Sequence, residues 1–316
     1  MSRSGSHVAI VGAGSVGTTI AYATLMRGLA SHVSIHDIDG ARVEAEVLDL
    51  SHGSEFVPVA TIDGSDRVEV CRDADLIVVT AGAKQKPGQT RLDLAARNEA
   101  MCRTLVPALV EVAPNSVIVM VTNPVDIVTT VAIEAGGLPG GRVFGSGTVL
   151  DSSRFRHLLA GRCGVAVQNV HAYIVGEHGD SEFPLWSSAS IGGIALDEWI
   201  GPHGQSLTAD DKESIAEEVL SSAQRIIVGK GATNWAIGLA TVRIVEAVLR
   251  DEHRVLPITA PLRGFADFDT DICLSVPRVV SRAGVSSPLP TPIDESERTA
   301  LERSVDAVSE VLASLG

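Results

Sequence analysis

The chain has 316 residues and a formal net charge of −14, with 25 Lys and Arg against 39 Asp and Glu. A field of this sign repels nucleic acid and anionic membranes, so we expect neither as a partner. Any anionic ligand must then be bound by local arginines or by backbone amides. Aromatic residues make up only 3% of the chain, so the core must consist of aliphatic side chains.

The cysteines and the apolar stretches indicate the compartment. Cys71, Cys102, Cys163 and Cys273 form no C-x-x-C pair, which argues against a disulfide framework and predicts no metal site. No apolar stretch reaches the roughly 18 residues that a membrane helix needs. Arg3 precedes an apolar stretch, as in a signal peptide, but the small residues that follow belong to a glycine-rich turn. We therefore expect a cytoplasmic protein.

The first half alternates short β-branched runs with helical segments. These runs are apolar throughout, which is typical of parallel strands covered by helices on both faces. The pattern predicts a doubly wound α/β fold. Strands are predicted over residues 7–11, 33–37, 76–80, 117–121 and 142–144, and a helix follows the first strand through Ala30.

The second half has a different pattern, with a helix predicted over residues 149–163 and a strand over residues 170–175. A long helix is expected from Thr208, where Thr-x-x-Asp resembles a capping box. The last helix is expected to begin near Asp294, with Glu297 three residues on. We place a boundary at the glycine-containing residues 145–147, so that residues 1–146 form one domain and residues 147–316 a second. The last helix presents one apolar face, made of Leu301, Val305, Val308 and Leu312.

A glycine-rich turn follows the first predicted strand, where Gly12, Gly14 and Gly17 fit G-x-G-x-x-G. The first glycine permits the tight turn, the second lets the backbone approach a pyrophosphate, and the third allows close packing of helix on strand. The helix N-terminus then presents free amides to the phosphates. Asp37 ends the second strand about twenty residues on, where a carboxylate binds the ribose hydroxyls and repels a 2′-phosphate. We therefore predict a Rossmann domain that binds NAD.

Two segments of the second half carry polar residues that suggest chemistry. His178 lies in a turn between glycines, after the predicted strand, and Asp151 and Arg154 are three residues apart on a helix. One helical turn presents both of these side chains on the same face. Alone these residues are ambiguous, because a single histidine is more often a surface residue and Asp151 serves equally as a helix cap.

Five motifs, in the same order, resemble the L-lactate/malate dehydrogenase family, and the resemblance covers nearly the whole chain. It implies that His178 is the general acid/base with Asp151 as its partner, because a carboxylate on one imidazole nitrogen fixes the tautomer and favours the protonated form. It also implies that Arg154 binds the substrate carboxylate through two parallel hydrogen bonds. The motifs are residues 11–17, 82–91, 122–126, 150–156 and 176–182.

The resemblance assigns further residues and makes the second half an α+β substrate domain. Arg91 would close over the substrate on a lid and polarise its carbonyl, although its segment also fits an ordinary basic loop. Asn123 and Thr233 would contact the substrate. The residues that the resemblance places at the cofactor are Gly12, Gly14, Val16, Gly17, Asp37, Gly82, Ala83, Thr122 and Asn123.

Gln85 bears on the choice of substrate. The malate enzymes of the family carry an arginine at this lid position, because the second carboxylate of oxaloacetate is costly to bury without a cation. A neutral glutamine favours pyruvate, and hence its reduction to L-lactate by NADH. Lys84 and Lys86 flank Gln85. They keep malate dehydrogenase as the alternative.

The resemblance also implies a second anion site. In allosteric bacterial members an arginine and a histidine at the positions of Arg156 and His171 bind fructose 1,6-bisphosphate between subunits. We therefore expect activation by this sugar bisphosphate and a homotetramer. The alternative is that Arg156 pairs with a carboxylate and that His171 packs at the start of a strand.

Two other classes of protein share features of this pattern. An NAD-dependent glycosidase would recruit a metal through cysteine and histidine, but Cys163 lies in no recognisable ligand cluster. A non-catalytic NAD-binding protein would have no need for His178, Asp151, Arg154 and Arg91 together.

Overall fold

A computed structural model describes residues 5–83, 91–201 and 204–315, apart from the side chain of Arg91. Its strands are β1 (His7–Val11), β2 (His32–His36), β3 (Thr61–Ser65), β4 (Leu76–Val79), β5 (Val117–Met120), β6 (Val143–Gly145), β7 (Val170–His171), β8 (Ile174–Val175), β9 (Phe183–Pro184), β10 (Ser190–Ile191), β11 (Ile194–Ala195), β12 (Arg254–Pro261), β13 (Cys273–Ser281) and β14 (Gly284–Pro288). Its helices are α1 (Ser15–Met26), α2 (Gly40–His52), α3 (Arg91–Val112), α4 (Val125–Gly136), α5 (Val149–Cys163), α6 (Ala209–Lys230), α7 (Trp235–Leu249) and α8 (Glu295–Leu315).

The central layer is a nine-stranded sheet in the order β14-β13-β12-β6-β5-β4-β1-β2-β3. The strands from β3 to β6 are parallel, and β12, β13 and β14 continue the sheet in antiparallel pairing. The chain runs outward from β1 to β3 and then returns to β4 on the other side of β1. Ligands of doubly wound sheets bind at such a reversal, beyond the carboxyl ends of the strands. The predicted doubly wound Rossmann sheet, followed by an α+β second half with antiparallel strands, is confirmed.

The middle of the sheet is buried on both faces, which explains why β4 and β5 are apolar throughout. Alternate residues of a strand point to opposite faces, so Val8 and Ile10 pack in one cluster with residues of α1 and α7. Ala9 and Val11 pack in the other cluster with residues of α3 and α4. Each fully buried aliphatic side chain contributes roughly 1.5–3 kcal/mol. These clusters fix the carboxyl ends of β1, β4 and β5 in place.

The helix starts of the second half follow the sequence signals. Thr208 caps α6 with a complete capping box, in which Thr208 and Asp211 bond each other's backbone amides. Asp294 and Glu297 do the same at α8, and the apolar face of α8 packs into a buried cluster.

Within the residues that the structure describes, no helix is both long and apolar enough to cross a membrane.

Two element predictions were wrong in detail. The strand over residues 170–175 is two strands, because β7 pairs with β10 while β8 pairs with β9. The helix predicted through Ala30 ends at Met26, because Gly28 adopts a left-handed backbone with φ of +58°. β3 was not predicted, because this edge strand of sequence TIDGS lacks a β-branched apolar run.

Candidate active site

The glycine-rich turn between β1 and α1 requires two of its glycines for packing. Gly12 has φ of +113°, and a Cβ there would lie 2.6 Å from the amide nitrogen of Ala81. A Cβ on Gly17 would overlap the carbonyl oxygen of Gly12. These two residues therefore let α1 pack tightly against the ends of β1 and β4. Val16 lies partly buried against the core beside them.

Gly14 differs, because a Cβ at this position would meet no atom of the protein within 4 Å. It is the N-cap of α1, whose first turn carries no acidic side chain. Asp37 lies beside the turn and accepts a hydrogen bond from the Ala13 amide at 2.7 Å. The open face at Gly14, the helix N-terminus and the carboxylate fit the pyrophosphate and ribose of a dinucleotide.

The other predicted cofactor residues line the ends of β4 and β5. Thr122 donates its hydroxyl to the carbonyl of Ala81 at 2.6 Å. Asn98 of α3, which is 1% exposed, accepts a hydrogen bond from the Ala83 amide at 2.7 Å and donates to the Asn123 carbonyl at 2.6 Å. The side chain of Asn98 therefore joins the two loops. Sequence reasoning missed Asn98, and its only signal is an amide within an otherwise ordinary helix.

The structure brings His178, Asp151 and Arg154 together. Nδ1 of His178 lies 2.9 Å from Oδ2 of Asp151, and Nη1 of Arg154 donates to the other carboxylate oxygen at 2.6 Å. The side chain of Asp151 is 2% exposed, whereas that of His178 is 27% exposed. Asp151 therefore lies beneath the imidazole, and the histidine retains access to the cavity.

Local hydrogen bonds explain how two separate segments meet here. Asp151 and Arg154 lie in the first turns of α5, and His178 follows β8. Ile174 of β8 accepts a hydrogen bond from Thr148 at 2.5 Å and donates its amide to Ser152 at 2.8 Å. These bonds fix the N-terminus of α5 against the strand that leads to His178.

The electrostatics of the cluster favour a charged histidine. Burial alone lowers the pKa of His178, but the negative charge of Asp151 beside Nδ1, with a smaller effect of Glu182, outweighs burial and holds that pKa well above its ordinary value. Burial raises the pKa of Asp151, yet the charges of His178 and Arg154 bring it below the usual range. Both shifts favour an imidazolium paired with a carboxylate.

Glu182 is a second carboxylate at the histidine that the sequence analysis left without a role. Its Oε2 lies 3.7 Å from Nδ1 of His178, and its side chain is 6% exposed. Burial raises the pKa of Glu182 to about 7, against the opposing effect of the nearby His178 imidazole. Asp151, His178 and Glu182 are close enough to hold a metal ion. Since Arg154 already supplies a fixed positive charge to Asp151, we interpret the cluster as ion pairs.

A cavity of about 320 Å³ opens onto this cluster. Polar groups from α5 and the His178 loop form one side, and α6 forms an apolar side. Such a cavity accepts a small molecule with one anionic end. The lining residues are Asp151, Arg154, His178, Gly179, Asp180, Glu182, Val219, Leu220 and Ala223.

The remaining predicted residues lie elsewhere or outside the described part. Thr233 is half-buried between α6 and α7 and is not among the residues that line the cavity. Gln85 and the side chain of Arg91 lie outside the described residues.

The two residues of the predicted second anion site are both in the described part. Arg156 donates to the Ala172 carbonyl at 2.8 Å and lies over the ring of Tyr173, and His171 is exposed. Arg156 therefore does not make the carboxylate pair of the alternative interpretation with any described residue.

A doubly wound sheet with a dinucleotide turn, followed by a histidine–carboxylate pair beside an arginine, is the arrangement of NAD-dependent dehydrogenases. Comparisons with known proteins narrow this class. The profile of the lactate/malate dehydrogenase NAD binding domain matches residues 6–145, and that of the family's alpha/beta C-terminal domain matches residues 148–314. The chain belongs to the lactate/malate dehydrogenase family, and NAD is its cofactor.

Similar proteins of known name agree with this assignment. The L-lactate dehydrogenase of Bifidobacterium animalis subsp. lactis is 51% identical over 98% of this chain and 97% of its own length. That of a Synechococcus species is 45% identical over 97% and 98%. A minor L-lactate dehydrogenase of Enterococcus mundtii, solved with bound ligands, matches with a TM-score of 0.93 and 38% identity over 98% of both chains. A lactate dehydrogenase from a deep-sea metagenome of the Medee basin matches with a TM-score of 0.94 and 36% identity, also over 98% of both chains.

Replacing Gly14 tests whether the open face of the turn holds the cofactor. Gly14→Ala should fold normally, since its Cβ meets no protein atom within 4 Å, and should weaken NADH binding about tenfold or more by occupying the space of the pyrophosphate. Fluorescence titration with NADH measures the affinity, and circular dichroism checks the fold.

Gly161→Ala is the matched control, because its Cβ also meets nothing within 4 Å and lies on the exposed surface of α5. This control should bind NADH as the wild type does. Unchanged NADH affinity in Gly14→Ala would contradict the assignment of this face to the cofactor.

Proposed function

We propose that the protein is an L-lactate dehydrogenase, which catalyses reversible hydride transfer between NADH and pyruvate. The observation that carries the proposal is the pair of Nδ1 of His178 with the buried carboxylate of Asp151, beside Arg154, at a small cavity. Relatives that share up to 51% identity over nearly the whole chain are named L-lactate dehydrogenases. Residues 1–146 would form the NAD-binding domain and residues 147–316 the substrate domain.

The proposed role of His178 is to move the proton. When bound, NADH supplies a hydride to the carbonyl carbon of pyruvate, and the oxygen of that carbonyl then needs one proton. His178 gives this proton from Nε2, because Nδ1 faces Asp151. In lactate oxidation the neutral imidazole takes the proton back. Asp151 stays ionised in both directions and fixes the orientation of the ring.

Arg154 would bind the carboxylate of the substrate. Its Nη1 donates a hydrogen bond to Asp151, and the other guanidinium donors make no hydrogen bond with any residue in the described ranges. A planar guanidinium therefore retains donors for a second carboxylate. We propose that Arg91, Asn123 and Thr233 complete the substrate contacts, with Arg91 polarising the carbonyl from the lid.

Malate dehydrogenase is the second candidate, since the matching profiles describe both activities. Gln85 argues against it, because a neutral amide supplies no cation for the second carboxylate of oxaloacetate. The names of the similar proteins also favour lactate.

The pH dependence of pyruvate reduction tests the role of the histidine pair. Reduction needs the imidazolium, so kcat/KM for pyruvate should stay high through neutral pH and fall only well above pH 6.5, because the pKa of His178 is raised. Asp151→Asn removes the charge that raises this pKa, so the fall should move to lower pH. At pH 7.5 the rate should drop about 100-fold or more. Absorbance of NADH reports the rate.

Asp210→Asn, which removes an exposed carboxylate at the start of α6, controls for the general loss of a negative charge and should keep the wild-type profile. An Asp151→Asn profile that coincides with the wild type would refute the proposed pair. A wild type that shows no pyruvate-dependent oxidation of NADH would refute the function itself.

Substrate preference tests the choice between the two candidates. The wild type should have a higher kcat/KM for pyruvate than for oxaloacetate. Gln85→Arg should shift the ratio toward oxaloacetate by roughly 100-fold, since hydrogen bonds between charged groups contribute about 1.5–3 kcal/mol. Gln85→Leu removes the amide without adding a cation and should gain no activity with oxaloacetate. Faster turnover of oxaloacetate by the wild type, at equal low concentrations, would favour malate dehydrogenase.

We also propose a homotetramer in the cytoplasm that fructose 1,6-bisphosphate activates. Exposed apolar side chains on α1, α6 and α7 support self-association, since an interface between subunits would remove them from water. They include Tyr22, Met26, Val228, Trp235 and Leu239. Arg156 contacts Ala172 and Tyr173, the two residues after His171, so it lies close to that histidine. The positive charge of Arg254 is also nearby, and these basic groups together support an anion site.

Activation is measured by the apparent KM for pyruvate with and without the bisphosphate, at neutral pH and in buffer free of phosphate. The bisphosphate should lower this KM by about fivefold or more, and Arg156→Gln should reduce the ratio. Arg162→Gln, on the same helix but paired with Asp211, should keep it. No change in the wild-type KM would contradict this part of the proposal.

A further inference from the structure

Asp126 is a buried carboxylate for which the proposed chemistry has no role. It is the second residue of α4 and is 2% exposed. Its Oδ2 accepts the backbone amide of His178 at 2.7 Å, and its Oδ1 accepts the hydroxyl of Thr259 at 2.6 Å. A buried carboxylate is costly unless its oxygens are hydrogen-bonded. Both oxygens of Asp126 have a partner, and one of them is the main chain of the proposed proton donor.

The partners of Asp126 continue into the sheet. The hydroxyl of Thr259 on β12 lies 2.8 Å from that of Ser275 on β13. Ser275 also exchanges both backbone hydrogen bonds with Gly176, at 2.9 and 3.0 Å. The loop that carries His178 is therefore attached at two points, at Gly176 to the sheet and at His178 to Asp126.

Asp126 also belongs to the cofactor side of the site. It lies in the first turn of α4, three residues after Asn123, which is in the turn that joins β5 to α4. The carbonyl of Asn123 is in turn bonded to Asn98, which also holds Ala83. One buried carboxylate thus connects the loops predicted to contact the cofactor with the loop that carries the histidine.

We propose, on the basis of the proposed function, that Asp126 is a positioning residue that fixes the main chain of His178 relative to the Asn123 loop. Asp151 sets the tautomer and orientation of the imidazole, and Asp126 sets the position of the backbone that carries it. Hydride and proton must reach adjacent atoms of one small substrate, so the distance between the two loops has to be constant. A displacement of about 1 Å lowers such a rate about 100-fold.

Substitution of Asp126 by asparagine separates the effect of its hydrogen bonds from the effect of its negative charge. In Asp126→Asn the amide oxygen still accepts the His178 amide, while the amide nitrogen donates to Thr259, whose hydroxyl turns to Ser275. Every partner is kept and only the negative charge is lost. Asp126→Ala instead leaves the His178 amide and the Thr259 hydroxyl without their acceptor.

The test compares these variants in the full-length enzyme. Asp126→Ala should lower kcat for pyruvate reduction about 100-fold while the KM for NADH changes little. Asp126→Asn should restore kcat to within about threefold of the wild type. Hydrogen exchange, followed by mass spectrometry of the peptide that contains residues 176–180, should show protection lost in Asp126→Ala and kept in Asp126→Asn. If Asp126→Ala does not fold, Asp126→Ser, whose hydroxyl is too short to bridge both partners, replaces it.

Glu297→Ala is the matched control, because Glu297 is also a buried carboxylate that accepts a loop amide, that of Ser187, at 2.9 Å. It should lower stability and leave kcat near the wild-type value. A kcat within threefold of the wild type in Asp126→Ala would overturn the proposal, and so would an equal loss in Asp126→Asn, which would assign the effect to charge. If the wild type does not reduce pyruvate, the proposed function fails, and the exchange arm still decides whether Asp126 holds the His178 loop.

Discussion

The ion pair between Asp151 and His178 is the interaction on which the rest of the site depends. It joins a helix that follows the last parallel strand to a loop of the second half, with 2.9 Å between Nδ1 and Oδ2. Alone, a buried imidazole would lose its proton, because burial favours the neutral form. The carboxylate reverses this preference and raises the pKa of His178 well above its ordinary value. The raised pKa favours the protonated ring, as the proposed role of proton donor requires.

The carboxylate remains charged because other groups neutralise and hold it. Arg154 adds a cation at 2.6 Å, one helical turn away on α5. Burying a lone carboxylate would cost several kcal/mol, so Asp151 lies between two cations, Arg154 and the protonated His178, and the three residues act as one ion-paired unit. Glu182, whose pKa is raised by burial, adds a second acidic group at the same ring nitrogen. The position of this unit depends on backbone attachments: Ile174 holds the start of α5, and Asp126 holds the main chain of His178.

The sequence was most informative where one local rule determines the structure. Short apolar runs separated by helical segments predicted five strands of the parallel sheet. The spacing of Gly12, Gly14 and Gly17 predicted the dinucleotide turn, which lies where the strand order reverses. Thr208 and Asp294 predicted two helix starts by capping. The edge strand β3 was missed because it is partly exposed and polar, and the 170–175 strand was predicted as one because pairing partners far along the chain decide where it breaks.

Hydrogen bonds between residues far apart in the sequence could not be predicted from local patterns. No spacing predicts that Asn98 joins Ala83 to Asn123, or that Asp126 accepts the amide of a residue 52 positions away. The roles of His178, Asp151 and Arg154 came from family resemblance, whereas their separations required the fold. Each of these polar residues is ambiguous in the sequence, because the same side chain serves equally as a cap or a surface group until its partner is known.

Nuclear magnetic resonance of the protein with 15N-labelled histidine, titrated against pH, tests the central claim most directly, because the ring nitrogens of His178 report protonation without any turnover. A His178→Asn sample identifies the resonance. The account predicts that His178 is an imidazolium at pH 7 and titrates well above 6.5. A neutral imidazole at pH 7, with a midpoint at or below 6.5, would contradict it.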